Sequence, residues 1–343
     1  MSKAITLNVE NTQMKHEQTP TVDVPADPYW MRLMAAFVEY QRPGHLSGIY
    51  PDEALRRQLE ETVEGEPDYA PPAMPTRDVR LGEGGESFTV RVYTPEAGES
   101  PRPLFVWVHG GGWAFGDLDS AEADATSREV AARAGAIVVS VDYRLAREGL
   151  HYPAPLDDVV TAYRWAVAQA DELGADRSRI TLGGASAGGN LVAGAVLRLI
   201  EDGEQVPTSL VLAYSALHAV LPVASAELQG CLDRISVAAG FGAEIYRPIV
   251  ENYLGGAAES APSQAMAGVA DDLSGFPPSY IFNCEFDGLR ASGEEFAKRL
   301  RQAGVAVVLE TIPGVAHGHL SRPGLPQSRQ SFEDLAAWVG AQR

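Results

Sequence analysis

The chain has 343 residues, 45% hydrophobic and 21% charged, with a formal net charge of −19. These values describe a globular chain long enough to bury a large core. The acidic surplus argues against nucleic acid, whose binding rests on phosphate neutralisation, and against adsorption to anionic membranes. No stretch of about 20 apolar residues predicts a membrane span. Met1 to Thr21 lacks the basic start and apolar core of a secretory signal. Two cysteines, Cys231 and Cys284, are too few for a disulfide framework and fit no zinc spacing. A reduced, cytoplasmic setting is therefore expected, with no metal and no cofactor.

Residues 1–25 are polar and proline-containing, and are expected to be poorly ordered unless docked. Residues 26–75 are helix-prone, with an aromatic run through Tyr29, Trp30, Met31, Leu33, Met34, Phe37 and Tyr40. From about residue 76 strand-like and helix-like segments alternate. Thr76 to Arg80 and Ser87 to Tyr93 alternate apolar and polar residues, as paired antiparallel strands do. Leu104 to Val108 and Ala136 to Val141 read as buried strands, separated by a helix over Ser120 to Ala134. A helix over Leu156 to Ala170 follows Pro153 and Pro155, and Ile180 to Leu182 is a short strand before a helix from Asn190 to Ile200. Ser209 to Ala213, Ser279 to Asn283 and Ala306 to Ile312 complete the strands. Glu294 to Ala303 and Gln330 to Ala341 are the last helices. This order predicts an α/β fold with a mostly parallel sheet covered on both faces. Residues 215–277 interrupt the alternation and carry a helix over Glu244 to Leu254.

Two motifs carry chemistry. Gly184-Ala185-Ser186-Ala187-Gly188-Gly189 joins a strand to a helix, the pattern of a nucleophile elbow. Such a turn strains the serine backbone and projects its hydroxyl at the positive end of a helix. His109-Gly110-Gly111-Gly112-Trp113 directly follows a buried strand. It reads as a glycine loop whose backbone N–H groups stabilise an oxyanion. Each motif alone is also compatible with an ordinary tight turn. Their order along one chain favours the functional reading.

A serine hydroxyl needs a base, and the base needs an orienting acid. In this kind of fold the chain order is serine, acid, histidine. His317 and His319 both follow the last strand, between Gly314 and Gly318 or just beyond, and His317 is preferred. Glu285 and Asp287 both follow the strand Ser279 to Asn283. Asp287 is preferred, with helix capping as its competing role. Asp157 and Asp158 precede the serine and read as structural. Asp142 is expected to pair with Arg144, and Cys284 to be a buried thiol.

The motif set resembles the hormone-sensitive-lipase-like family of α/β-hydrolases, in particular its bacterial esterases. The matching segments are His109-Gly-Gly-Gly-Trp113 with Gly116-Asp117-Leu118-Asp119, and Asp142-Tyr143-Arg144-Leu145-Ala146. They continue with Tyr152 to Asp158, Ser186-Ala187-Gly188-Gly189-Asn190-Leu191, Asp287-Gly288-Leu289-Arg290 and His317-Gly318. The resemblance implies Ser186 as nucleophile, His317 as base and Asp287 as acid. It implies an oxyanion hole from the N–H groups of Gly111, Gly112 and Ala187, with His109 bracing the loop. It also implies an α/β-hydrolase fold with a helical cap. The chain then divides into an N-terminal arm with cap helices (1–75), a first part of the catalytic core (76–214), a cap insertion (215–277) and a second part of the core (278–343).

The chain departs from the family at Ala185, where aspartate is frequent, at Gly288, where proline is usual, and at His319, where an aromatic is usual. The segment Ala146 to His151 also departs. These departures are expected near the pocket wall, which adds His319 to Trp113 and Phe115 as candidate pocket residues. Packing into the core is the competing role for the two aromatics. The resemblance implies a serine carboxylesterase acting on short- to medium-chain esters. The alternatives are a specialised acyl hydrolase (amidase, lactonase or natural-product deacetylase) or a non-hydrolytic ligand-binding member of the fold. The expected partner is a small-molecule ester, with a homodimer allowed and neither nucleic acid nor stable membrane insertion.

Overall fold

The computed structural model describes residues 68–96, 100–235 and 241–341. The N-terminal arm and the aromatic run of residues 29–40 lie outside the described residues.

Among the described residues, eight strands form one sheet: β1 (Thr76–Leu81), β2 (Phe88–Tyr93), β3 (Arg102–Val108), β4 (Ile137–Asp142), β5 (Ala175–Ala185), β6 (Ser209–Ala213), β7 (Ser279–Phe286) and β8 (Val307–Ala316). Their order in space is β1-β2-β4-β3-β5-β6-β7-β8. β1 pairs antiparallel with β2, and β2 antiparallel with β4. From β4 to β8 every pair is parallel. This is the mostly parallel α/β sheet that the strand and helix alternation predicts, in the α/β-hydrolase arrangement that the resemblance implies.

The helices are α1 (Ala121–Ala134), α2 (Ala154–Ala168), α3 (Ala170–Leu173), α4 (Ala187–Glu201), α5 (Ala226–Leu232), α6 (Ala243–Leu254), α7 (Arg290–Gln302) and α8 (Pro326–Gly340). Proline opens α8 and sits in the first turn of α2, where its missing N–H and fixed φ cost nothing. α1 ends at Gly135 in the left-handed conformation.

The sheet separates two apolar clusters, and β3 shows how. Leu104, Val106 and Val108 belong to the cluster that also holds residues of α2, α4 and α7. Phe105 and Trp107 belong to the other, with residues of α1 and α8. Alternation along a strand sends neighbouring side chains to opposite faces. All five are fully buried, and each contributes roughly 1.5–3 kcal/mol through burial.

Two local expectations need correction. β5 begins at Ala175 rather than Ile180, because the polar, incompletely buried run from Asp176 to Arg179 hides the strand's first half. Arg144 pairs with Asp158 rather than Asp142. Its Nη2 donates to Asp158 Oδ1 at 2.8 Å, and its backbone N–H donates to Oδ2 at 2.8 Å. Asp142 ends β4, where burial pushes its carboxyl above the ordinary value.

β3 is where the chain order reverses, with β4 on one side and β5 on the other. Open α/β sheets form their crevices outside the strand C-termini at such a point. The glycine loop leaves β3 there and the serine leaves β5 beside it. Asp287 immediately follows β7, and His317 immediately follows β8.

Candidate active site

Ser186 separates β5 from α4 and has φ 52° and ψ −116°. A non-glycine residue reaches that region only when its surroundings hold it there. Its N–H donates to the Ala213 carbonyl of β6 at 2.8 Å, and its carbonyl accepts from Asn190 N–H at 3.1 Å. Glycine is needed at 188, where a Cβ would collide with the carbonyls of Val108 and His109. The elbow and the end of β3 can touch only because that Cβ is missing.

Three side chains meet across the strand ends. His317 Nε2 lies 2.8 Å from Ser186 Oγ, and His317 Nδ1 lies 2.7 Å from Asp287 Oδ2. A carboxylate only accepts, so Nδ1 carries the proton and Nε2 is left to accept from the serine hydroxyl. Asp287 is fully buried, and its Oδ1 accepts from Leu289 N–H at 2.9 Å. The aspartate therefore both orients the imidazole and caps the turn into α7. Glu285 stands two residues earlier and does something else, since its Oε2 accepts from Gly314 N–H at 2.6 Å. The competing acid candidate thus anchors the loop that delivers His317.

The glycine loop has positive φ at Gly111 (103°), Gly112 (57°) and Trp113 (61°). At Gly111 a Cβ would run into the backbone of Phe115, whose N–H donates to the Gly111 carbonyl at 2.9 Å. His109 stacks on Tyr143 with ring centroids 4.5 Å apart. Its Nδ1 lies 2.8 Å from the Gly110 carbonyl, and burial lowers the imidazole pKa, so the ring stays neutral beneath the loop. Ala187 is the first residue of α4, where the N–H groups have no helical partner and the helix dipole favours negative charge.

The candidate pocket residues divide. Phe115 stays partly exposed, with the Arg147 guanidinium 5.9 Å from its ring centroid. Trp113 is fully buried: it stacks on Tyr253 of α6 at 4.5 Å and donates from Nε1 to Asn190 Oδ1 at 3.1 Å. His319 is also fully buried, held among core side chains. Its Nδ1 lies 3.3 Å from Cys284 Sγ and its Nε2 lies 2.8 Å from Ser331 Oγ. A 3₁₀ turn over His319–Ser321 rotates the ring into the core. Burial there lowers its pKa to about 3. Cys284 is a buried free thiol whose pKa burial raises.

Residues 215–277 approach the site through α6 and the turn before it. Phe241 packs on His317 with ring centroids 4.4 Å apart. Asn252 donates to the Ala146 carbonyl at 2.7 Å, and Tyr246 donates to the His218 carbonyl at 2.8 Å. Sequence reasoning missed Phe241, Tyr214 and Glu122. Tyr214 stands edge-on to His317, with centroids 5.1 Å apart. Glu122 accepts from the Tyr214 hydroxyl and from Gly110 N–H. Among the described residues, no group of three or more His, Cys, Asp or Glu could hold a metal, and no helix is long and apolar enough to cross a membrane.

A family model described as alpha/beta hydrolase fold matches residues 105–321. Carboxylesterase NlhH of Mycobacterium tuberculosis is 38% identical over 243 residues, covering 70% of this chain and 73% of that protein. An arylesterase of Saccharolobus solfataricus is 31% identical over 256 residues, covering 74% and 79%. Among solved structures, a hyperthermophilic esterase from Pyrobaculum calidifontis superposes with a TM-score of 0.71 at 30% identity, covering 79% of this chain and 87% of that one.

Proposed function

The chain belongs to the hormone-sensitive-lipase-like family of α/β-hydrolases, and on that premise we propose that it is a serine carboxylesterase with Ser186, His317 and Asp287 as its triad. Its esterase relatives make it a carboxylic ester hydrolase. The observation that carries the assignment of residues is the unbroken chain from Ser186 Oγ through His317 to Asp287, at 2.8 and 2.7 Å.

Ser186 Oγ attacks the ester carbonyl as its proton passes to His317 Nε2. The new C–O bond pushes the carbonyl electron pair onto oxygen. That oxyanion is received by the N–H groups of Gly111, Gly112 and Ala187. The buried Asp287 carboxylate stabilises the imidazolium and keeps the ring in register. The C–O bond to the leaving group then breaks, and the alcohol departs with the proton from Nε2. Water attacks the acyl-enzyme by the same route and restores the serine.

Residues 215–277 act as a cap. Phe241 against His317 and Phe115 beside the glycine loop narrow the approach, which favours short- to medium-chain acyl groups. The test is turnover of p-nitrophenyl esters of increasing acyl length, beside Ser186→Ala. A Ser186-dependent optimum at short acyl chains is expected. Turnover by Ser186→Ala that matches the unaltered protein would overturn the triad.

A further inference from the structure

Glu122 lies in the first turn of α1, where a glutamate ordinarily sits in water and complements the helix dipole. Here it is buried. Burying a carboxylate is costly unless hydrogen bonds replace its water. Both of its oxygens have such bonds. Oε2 accepts from Gly110 N–H at 2.5 Å, and Oε1 accepts from the Tyr214 hydroxyl at 2.7 Å. The Glu122 carbonyl also accepts from the Trp107 indole of β3 at 3.1 Å, so the residue is fixed from the sheet as well.

These partners are the two halves of the site. Gly110 directly precedes Gly111 and Gly112. A Cβ on Gly110 would stand 2.7 Å from Glu122 Oε2 and 3.1 Å from Ser186 Cβ. Gly110 therefore sits between the carboxylate and the nucleophile, with no room for a side chain between them. Tyr214 has a strained φ of 37° and presents its ring edge-on to His317. Consecutive glycines change backbone conformation cheaply, so an oxyanion loop made of them needs an external anchor.

We propose that Glu122 is a positioning residue for ester hydrolysis. One oxygen sets the glycine loop at the spacing the oxyanion requires, and the other holds the tyrosine that backs the base. The inference rests on the reading of Ser186 as nucleophile and of the glycine loop as oxyanion hole. A group that only plugged the core would leave the oxyanion hole unchanged once the protein had folded. A positioning group would not.

The test compares Glu122→Ala, Glu122→Gln and Ser186→Ala in the full chain. Each is assayed for kcat and KM on the best p-nitrophenyl ester, for Tm, and for inhibition by a trifluoromethyl ketone bearing the same acyl chain. Ser186 Oγ adds to that ketone. The carbonyl electron pair moves onto oxygen and the serine proton moves to His317, so affinity reads the oxyanion hole without turnover. For Glu122→Ala, kcat is expected to fall about 10²-fold, the loss typical of misplaced catalytic geometry. KM should stay within about threefold, and ketone affinity should fall in step with kcat/KM. Inhibition by 4-nitrobenzyl alcohol, a neutral alcohol with no carbonyl to form an oxyanion, should not change. Glutamine can accept from Gly110 N–H and donate to the Tyr214 oxygen, so Glu122→Gln should recover to within about tenfold of the unaltered protein.

A folded Glu122→Ala that keeps its kcat would overturn the proposal, as would a fall in kcat with ketone affinity unchanged. If Glu122→Ala does not fold, Glu122→Met fills the same volume without an acceptor and must meet the same two criteria. Failure of the underlying reading is distinguishable, because Ser186→Ala would then bind the ketone as tightly as the unaltered protein.

Discussion

His317 and His319 are two residues apart, and each bridges two side chains in opposite surroundings. At the strand ends, His317 joins Ser186 to the buried carboxylate of Asp287. One turn further on, His319 joins Ser331 to the thiol of Cys284. Both clusters pair an imidazole with a serine hydroxyl 2.8 Å away. They differ in the third member and in access. Asp287 offers a negative charge that stabilises an imidazolium, and the His317 side chain keeps 10% of its surface open. Cys284 offers a thiol that burial keeps protonated, and His319 has no exposed surface. On the proposed assignment of Ser186 as nucleophile, a hydrogen-bonded serine and histidine are not sufficient for catalysis. A fixed charge behind the imidazole and an opening in front of it make the difference.

The contrast breaks most sharply at the serines. Ser186→Ala should lower kcat by about 10⁶-fold, the scale seen when a triad nucleophile is removed. Ser331→Ala should leave ester turnover close to that of the unaltered protein. Steady-state kinetics with active-site titration separates the two, and comparable losses at both positions would refute the division. The carboxylate comes next. Asp287→Asn keeps the shape but makes Nδ1 face an amide, and a loss of about 10⁴-fold in kcat is expected. Glu285→Gln is its control. Its bond to Gly314 can survive in the amide, so activity should change little while Asp287→Asn is crippled. A smaller loss is expected at the glycine loop. In Gly111→Ala the new methyl would meet the Phe115 backbone at φ 103°. Displacing the donors there should cost about 10²–10³-fold in kcat, with Tm measured alongside to show that the protein still folds.

The strand-to-helix turn at Ser186, the glycine loop after β3 and the placing of Asp287 and His317 at strand ends were legible in the sequence, because each of these positions follows a strand and the turns carry glycines that the geometry demands. The parts set by distant packing were not legible. His319 lies in the same glycine-flanked loop as His317, and only the 3₁₀ turn after β8 decides which ring faces inward. Trp113 reads as a pocket wall until its left-handed backbone turns the indole onto Tyr253, far along the chain in α6. Arg144 had an acidic neighbour in Asp142, yet Asp158 in the first half of α2 offers both carboxylate oxygens at once. Glu122 carried no signal, since an acid in a helix's first turn is commonplace. Its burial depends on Gly110 and Tyr214, which approach from β3 and β6.

The smallest effect separates the inner cluster by stability rather than by rate. Burial holds His319 near a pKa of about 3 against an ordinary 6.5, and His218 near about 4. In the unfolded chain both return to the ordinary value and bind protons that the folded chain refuses. Their contribution to stability is therefore complete above pH 6.5 and is lost as pH falls toward the folded values. Each histidine adds a slope approaching about 1.4 kcal/mol per pH unit within that window. Urea unfolding at about pH 7, 6 and 5 should thus show a falling free energy. His319→Gln removes one such group, leaving His218 and the likewise buried His109, while keeping a hydrogen-bonding side chain for Ser331, so its slope should be shallower than that of the unaltered protein. An unchanged slope would mean that His319 can take up a proton in the folded state, and the two histidines would then differ less than their surroundings indicate.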